Sequence, residues 1–299
     1  MQLKLFANDK TVNKSGPSDE IVNVASVPQR SPFRYPGGKT WFVPTLRKWL
    51  KSKDVIPDLL IEPFAGGGTV GLTAAFENLS KKVLLVELDP HVAAVWHILI
   101  EGNYEKLAKR ILAFKLTNEN AQAALSKSPR STDEKAFQTI LRNRVSHGGI
   151  MAPGAGLIKN GENGKGISSR WYPETLAKRI MDIGAVRSKL SFYEGDAFEI
   201  IQDYIDDSRT SYFIDPPYTA AGKKAGRRLY SHHALDHHKL FDTLKTAKGD
   251  FIFTYDNSEE LKEMAALRGF QTKLIAMKNT HHAEMTELII GRDIEWLKI

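Results

Sequence analysis

The stretch "PDLLIEPFAGGGTVGLTAAFENL", residues 57–79, decides the fold. Leu59, Leu60 and Ile61 make a short apolar run with no polar alternation, the pattern of a strand covered on both faces. Gly66, Gly67 and Gly68 follow as a turn. From Thr69 to Leu79, helical spacing runs through Val70, Thr73, Ala74 and Glu77. The next stretch, "KKVLLVELDP", residues 81–90, is a second apolar strand, Val83 to Val86, ending in Glu87 and Asp89. "HVAAVWHILI" then reads as a helix. Strand, glycine turn, helix and strand form a βαβ unit, so a parallel sheet is expected.

Gly66, Gly68 and Gly71 stand at G-x-G-x-x-G spacing in the context that gives the pattern meaning. Glycines there tolerate positive φ and let a ligand approach the backbone. A carboxylate about 20 residues on suits ribose hydroxyls, and Glu87 and Asp89 are placed for it. The spacing accommodates NAD, FAD or an adenosyl cofactor and does not choose among them.

The α/β pattern is interrupted. Over residues 99–189 apolar strands give way to helical patterns near 103–116 and 133–145. A long glycine-rich basic stretch follows, "RNRVSHGGIMAPGAGLIKNGENGKGISSRWYP", residues 142–173. It is too long for an ordinary connection and reads as a functional loop of an inserted helical subdomain. Strand signals return in "LSFYEGDAFEII" and "TSYFIDPPY". A helix is expected in "HHALDHHKLFDTLKT", a strand, turn and helix in "GDFIFTYDNSEELKEMAALRGF", and a closing hairpin in "QTKLIAMKNT" and "MTELIIGRD". Three regions result: a loosely ordered arm (1–30), a catalytic domain (31–98 and 190–299), and the insertion (99–189).

"SYFIDPPYTAAG", residues 211–222, carries the chemistry. Pro216 extends the backbone at Asp215, and Pro216 and Pro217 stiffen the turn and lack N–H groups. Tyr218 adds a flat ring. Two acceptors, the Asp215 carboxylate and the Pro216 carbonyl, can hold both N–H bonds of an exocyclic amino group and direct its lone pair. Stacking on Tyr218 adds roughly 1–3 kcal/mol. Asp215, Pro216, Pro217 and Tyr218 are therefore the candidate catalytic residues.

In this order the motifs resemble the D12-class, Dam-like DNA adenine-N6 methyltransferases, from about Ser31 to Asn257. The quoted motifs are "SPFRYPGGK", "IEPFAGGGTVG", "VELDP", "YEGDAFE", "FIDPPY" and "FTYDNS". "LRNRVSHGG" and "GKGISSRWYP" resemble segments of the family's target-recognition insertion. The resemblance implies a Rossmann-like sheet, mostly parallel with one antiparallel strand, and S-adenosylmethionine as cofactor. It implies cofactor contacts from Tyr35, Lys39, Glu62, Pro63, Phe64, Gly66, Gly68, Glu87, Leu88, Asp196, Ala197 and Asp215. The expected reaction is methyl transfer to the amino group of an adenine flipped from double-stranded DNA. An RNA amino group or cytosine N4 is the alternative target. A dinucleotide-dependent oxidoreductase and a catalytically silent DNA-binding module are rival readings.

The chain has 299 residues, a net charge of +7 and no cysteine. A basic balance favours a polyanionic partner. Without a cysteine nucleophile, cytosine-C5 methylation is excluded. Arg142, Arg144, Lys165 and Arg170, and Lys223, Lys224, Arg227 and Arg228 after the catalytic turn, are the candidate DNA contacts; Lys159 lies in the same loop. His232-His233, His237-His238 and His281-His282 are read as surface or phosphate contacts, so no metal is expected. Trp96 and Trp171 are expected as core or loop anchors. No apolar run reaches the roughly 18–20 residues that cross a bilayer. A cytoplasmic location is expected, with a cognate restriction endonuclease as a further partner.

Overall fold

A computed structural model describes residues 26–34, 38–149, 156–158, 161, 164–217, 235–278 and 284–297. Seven strands form one sheet: β1 (Leu59–Glu62), β2 (Lys82–Glu87), β3 (Leu190–Glu194), β4 (Thr210–Ile214), β5 (Asp250–Asp256), β6 (Gln271–Lys278) and β7 (Glu284–Gly291). Their order is β3-β2-β1-β4-β5-β7-β6. β7 runs antiparallel to both β5 and β6, and the other pairings are parallel. The expected mostly parallel sheet with one antiparallel strand and a terminal hairpin is the observed one.

Both faces of the central strands are covered, which explains their unbroken apolar runs. Leu60 and Phe213 enter one apolar cluster. Their strand neighbours Ile61, Tyr212 and Ile214 enter the other. On the first side lie α1 (Val43–Lys51), α2 (Thr69–Phe76) and α3 (Pro90–Ile100). The insertion supplies α4 (Tyr104–Ala113), α5 (Asn118–Leu125), α6 (Thr132–Val145) and α7 (Pro173–Val186). The second side holds α8 (Ala197–Asp203), α9 (His237–Thr246) and α10 (Glu259–Ala266).

The segment 99–189, expected as an inserted subdomain, lies between α3 and β3 and contributes no strand to the sheet among the described residues. It has no separate core: Phe137, Ile140, Trp171 and Ile180 belong to the same cluster as Trp96 and Phe213. Asn103, Thr117 and Ser131 each accept a backbone N–H at the start of α4, α5 and α6, so local chemistry fixes where these helices begin.

The arm is not loose up to its expected boundary. Val27 is buried, and Arg30 reaches Glu77 at 3.0 Å. Apolar burial and this partly buried ion pair tie residues 26–30 to the domain. Residues 1–25 lie outside the described residues.

Strand order reverses between β1 and β4, and such reversals open a crevice at the carboxyl ends of the strands. Ile61 pairs with Tyr212 across β1 and β4. The glycine bend and the Asp-Pro-Pro turn therefore leave the sheet side by side.

Candidate active site

The glycine bend, the segments after β2 and β3 and the Asp-Pro-Pro turn sit at carboxyl ends of strands, and backbone bonds stitch the first three together. Ala65 N donates to Val86 O at 2.9 Å, and Gly195 N donates to Glu87 O at 3.1 Å. The segments after β1, β2 and β3 thus form one continuous rim.

The glycine bend requires glycine at two points. Gly66 and Gly68 have φ of 47° and 60°, the left-handed region that side chains disfavour. A Cβ on Gly68 would lie 2.8 Å from the Trp96 ring. Trp96 is fully buried and donates from Nε1 to Gly66 O at 3.0 Å. The expected anchor role of Trp96 is thus specific: it buttresses the bend from below.

Glu87 bonds the bend directly. Its carboxylate accepts from Gly66 N at 3.0 Å and from Asp89 N at 2.9 Å. Burial, the largest influence, and the nearby Asp89 carboxylate push Glu87 up to about 7, against the pull of its backbone donors. Asp89, the other acid at this strand end, is spent on a helix cap. It accepts from His91 N and Val92 N, with Pro90 opening α3. Leu88 is half exposed beside Glu87.

Glu62 has a task the motif does not reveal. It is expected against the cofactor, yet its buried carboxylate accepts from Gly71 N at 2.6 Å and is also bonded by Val70 N. Gly68, the N-cap of α2, has no side chain to satisfy these donors, so Glu62 caps the helix from the preceding strand. Burial first, then the Asp215 charge, raises Glu62 to about 8. Pro63 is buried and Phe64 half-buried along the same bend.

Asp196 is exposed and caps α8 by accepting from Phe198 N at 2.7 Å, while Ala197 is buried behind it. Acceptors at Glu87 and Asp196, the exposed Leu88 and the glycine bend share one rim. Polar atoms for a ribose and a base, with an apolar surface between them, fit an adenosyl group.

Asp215 follows β4, with its side chain 21% exposed. Lys39, 4% exposed, places Nζ 2.9 Å from Asp215 Oδ1. Thr254 Oγ1, from β5, donates to the same oxygen at 2.9 Å. Pro216 is buried and Pro217 half-buried. Lys39, expected near the cofactor's methionine end, is brought to Asp215, the candidate catalytic residue. Thr254 was not singled out in the sequence, although its place in "FTYDNS" on the strand beside the catalytic turn is a usable signal. Tyr218 and Tyr35 lie outside the described residues.

The basic candidates divide. Arg142 and Lys165 are exposed and Arg170 is half-buried. Arg144 is a correction: it is 5% exposed and its guanidinium donates to Pro32 O. Burial and the guanidiniums of Arg179, Arg34 and Arg170 hold its pKa below the usual arginine range. Arg142 and Arg144 are two apart on α6, so they point in different directions, and only the first faces solvent. Between them, Asn143 is fully buried and bonds Arg34 N and O and Gly149 O. The end of α6 thereby grips the segment that leads into Lys39. Lys159, Lys223, Lys224, Arg227 and Arg228 lie outside the described residues, as do His232, His233, His281 and His282.

His237 bonds the buried Tyr255 hydroxyl at 2.9 Å. Among the described residues no group of three His, Asp or Glu is arranged to hold a metal, and no helix is long and apolar enough to cross a membrane.

A strand-order switch, a glycine bend with acids on its rim and an acidic turn beside them suit an adenosyl cofactor, and together with the family match that follows they make the chain an S-adenosylmethionine-dependent methyltransferase. Residues 35–145 match the family model of the D12 class N6 adenine-specific DNA methyltransferase. That span holds the glycine bend, Glu87 and α6; Asp215 lies beyond it.

Solved structures to which the chain is similar include a precorrin-6y C5,15-methyltransferase from Geobacter metallireducens, 11% identical, with a TM-score of 0.34 over 83% of this chain and 86% of that one. An rRNA methyltransferase from Streptomyces viridochromogenes is 13% identical, with a TM-score of 0.39 over 86% of this chain and 85% of the other. A methyltransferase from Geobacter sulfurreducens is 9% identical, with a TM-score of 0.36 over 84% and 76%. No curated protein matches the chain in sequence.

Proposed function

We propose that the enzyme methylates N6 of adenine in double-stranded DNA, on a base flipped into the crevice between the glycine bend and the Asp-Pro-Pro-Tyr turn. The observation that carries this reading is the Asp215 carboxylate, held by the buried Lys39 ammonium at the carboxyl end of β4. A fixed, ionised acceptor at that point suits an amino group whose own lone pair is delocalised into its ring.

Asp215 and the Pro216 carbonyl accept the two N–H bonds of the target and draw its nitrogen toward tetrahedral geometry. Pro216 and Pro217 cannot rotate about φ, so both acceptors keep their places. Tyr218 supplies the stacking face. When bound, S-adenosylmethionine supplies a methyl carbon whose bond to the sulfonium breaks as the nitrogen bonds to it. Gly66, Gly68, Glu87, Leu88, Asp196 and Ala197 hold that cofactor, with Pro63 and Phe64 lining the bend. The methylated amino cation is strongly acidic and sheds its surplus proton.

The insertion, residues 99–189, serves as the target-recognition element. Arg142, Lys165 and Arg170, with Lys223, Lys224, Arg227 and Arg228, meet phosphates, a contact that makes binding salt-dependent. Extrusion of the base costs a few kcal/mol, which these contacts offset. A cytoplasmic location follows from DNA as substrate. A companion restriction endonuclease rests on the family resemblance alone.

The test is transfer of tritiated methyl groups to DNA of mixed sequence, followed by nucleoside analysis. Label in N6-methyladenine is the expected result. Label in N4-methylcytosine overturns the base assignment, and label in RNA competitor overturns the polymer.

A further inference from the structure

We propose that Thr254 is a positioning residue for Asp215, fixing the carboxylate's orientation through its hydroxyl. The inference rests on the reading of Asp215 as the acceptor of the target amino group.

The register places the two residues together. Ile214 pairs with Phe253 across β4 and β5, so the residue after each, Asp215 and Thr254, are neighbours. Thr254 is fully buried and pairs with Ile289 of β7 on its other side. A hydroxyl in such a strand costs free energy unless it meets a polar partner; valine would fill the space without that cost. Its Oγ1 lies 2.9 Å from Asp215 Oδ1. An ionised carboxylate only accepts, so the threonine must donate.

The Lys39 ammonium bonds the same Oδ1, also at 2.9 Å. One donor fixes a distance and leaves the carboxylate free to swing about it. Two donors from different elements, one a helical turn and one a β-branched strand residue with a restricted χ1, fix its plane as well. A reaction that depends on aiming a lone pair at one carbon is sensitive to that plane.

The experiment compares wild type, Thr254→Val and Thr254→Ser. Thr254→Val keeps the shape and removes the donor. Its kcat should fall about ten- to a hundredfold, with cofactor Kd and DNA KM changed less than about threefold. Thr254→Ser keeps the hydroxyl and should stay within about threefold of wild type.

Equal kcat in wild type and folded Thr254→Val overturns the proposal. So does a Thr254→Ser as impaired as Thr254→Val, because packing rather than the hydroxyl would then matter. Carbon-13 NMR of the Asp215 carboxyl, without cofactor or DNA, gives a second readout. Its chemical shift should move in Thr254→Val and stay in Thr254→Ser, and an unmoved shift in Thr254→Val overturns the inference. Should the wild type transfer no methyl group to DNA, the functional reading fails, and this spectrum still decides whether Thr254 governs Asp215.

Discussion

The Lys39 ammonium, almost wholly buried, stands 2.9 Å from the Asp215 carboxylate and joins the start of the domain to the end of β4. The two residues are far apart in sequence, yet Lys39, after a glycine pair, and Asp215, which opens the Asp-Pro-Pro turn, are brought together. A cation there holds the carboxylate in place through a charge-assisted hydrogen bond. Replacing Lys39 by methionine leaves the acid without that charge. The expected cost is about 1–3 kcal/mol, below the range for a fully buried pair because Asp215 is partly exposed. Methyl transfer should fall at least a hundredfold. Lys39→Arg should restore little, since a planar guanidinium does not fill the place of a compact ammonium. Thermal melts and the tritium assay on the same preparations check both effects; a Lys39→Met enzyme as active as wild type would refute the role.

Glu62 predicts a dependence of stability on pH. Its folded pKa is raised to about 8 from an ordinary 4.5. The folded state therefore holds a proton that the unfolded chain releases. The stabilisation is complete below about pH 4.5 and is lost as pH rises through about 8, up to a few kcal/mol. Melts between pH 5 and 9 should show falling stability. Glu62→Gln, which keeps an acceptor for Gly71 and cannot ionise, should flatten that slope. Identical slopes in both proteins would show that Glu62 is ionised throughout.

Much of this was legible because it is local. The apolar runs of β1, β2 and β4, the glycine bend and the terminal hairpin are each encoded within a few residues. What escaped notice depends on direction and packing. Glu62 ends a strand beside a cofactor motif, and spacing alone does not reveal that its carboxylate turns back to cap α2. Arg144 reads as one more basic residue of a surface loop until the helix ending at Val145 turns it inward. The helices α1, α5 and α7 carry no motif of their own, and α8 begins inside a stretch whose apolar residues read as strand. Thr254 sits within "FTYDNS", but its aim at Asp215 depends on β5 lying beside β4.

Gly68 is where the bend tolerates least. An alanine there is strained by the left-handed backbone, at about 1–2 kcal/mol, and its methyl would lie 2.8 Å from the Trp96 ring. Trp96 cannot retreat without giving up its bond to Gly66 O. Gly68→Ala should therefore lose more stability than the backbone strain alone and weaken S-adenosylmethionine binding by at least tenfold. Calorimetry on the folded variant measures the second effect. Unchanged cofactor affinity would separate the bend from the cofactor site.

Arg142 and Arg144 give the sharpest contrast, two residues apart on one helix. Arg142 is exposed, so Arg142→Ala should leave the melting temperature within a degree or two. If it meets a phosphate, the variant should bind DNA more weakly and reduce the slope of log K against log salt by about one. Arg144 is buried and donates to Pro32 O. Arg144→Ala removes the donor and opens a cavity beside the segment that leads to Lys39, so it should destabilise by about 2–4 kcal/mol. DNA affinity measured on the remaining folded protein should keep the wild-type salt slope. Fluorescence anisotropy at several salt concentrations, paired with denaturant melts, separates the two residues. A reversed pattern, with Arg144 setting the salt slope and Arg142 the stability, would mean that the end of α6 presents the opposite face to DNA.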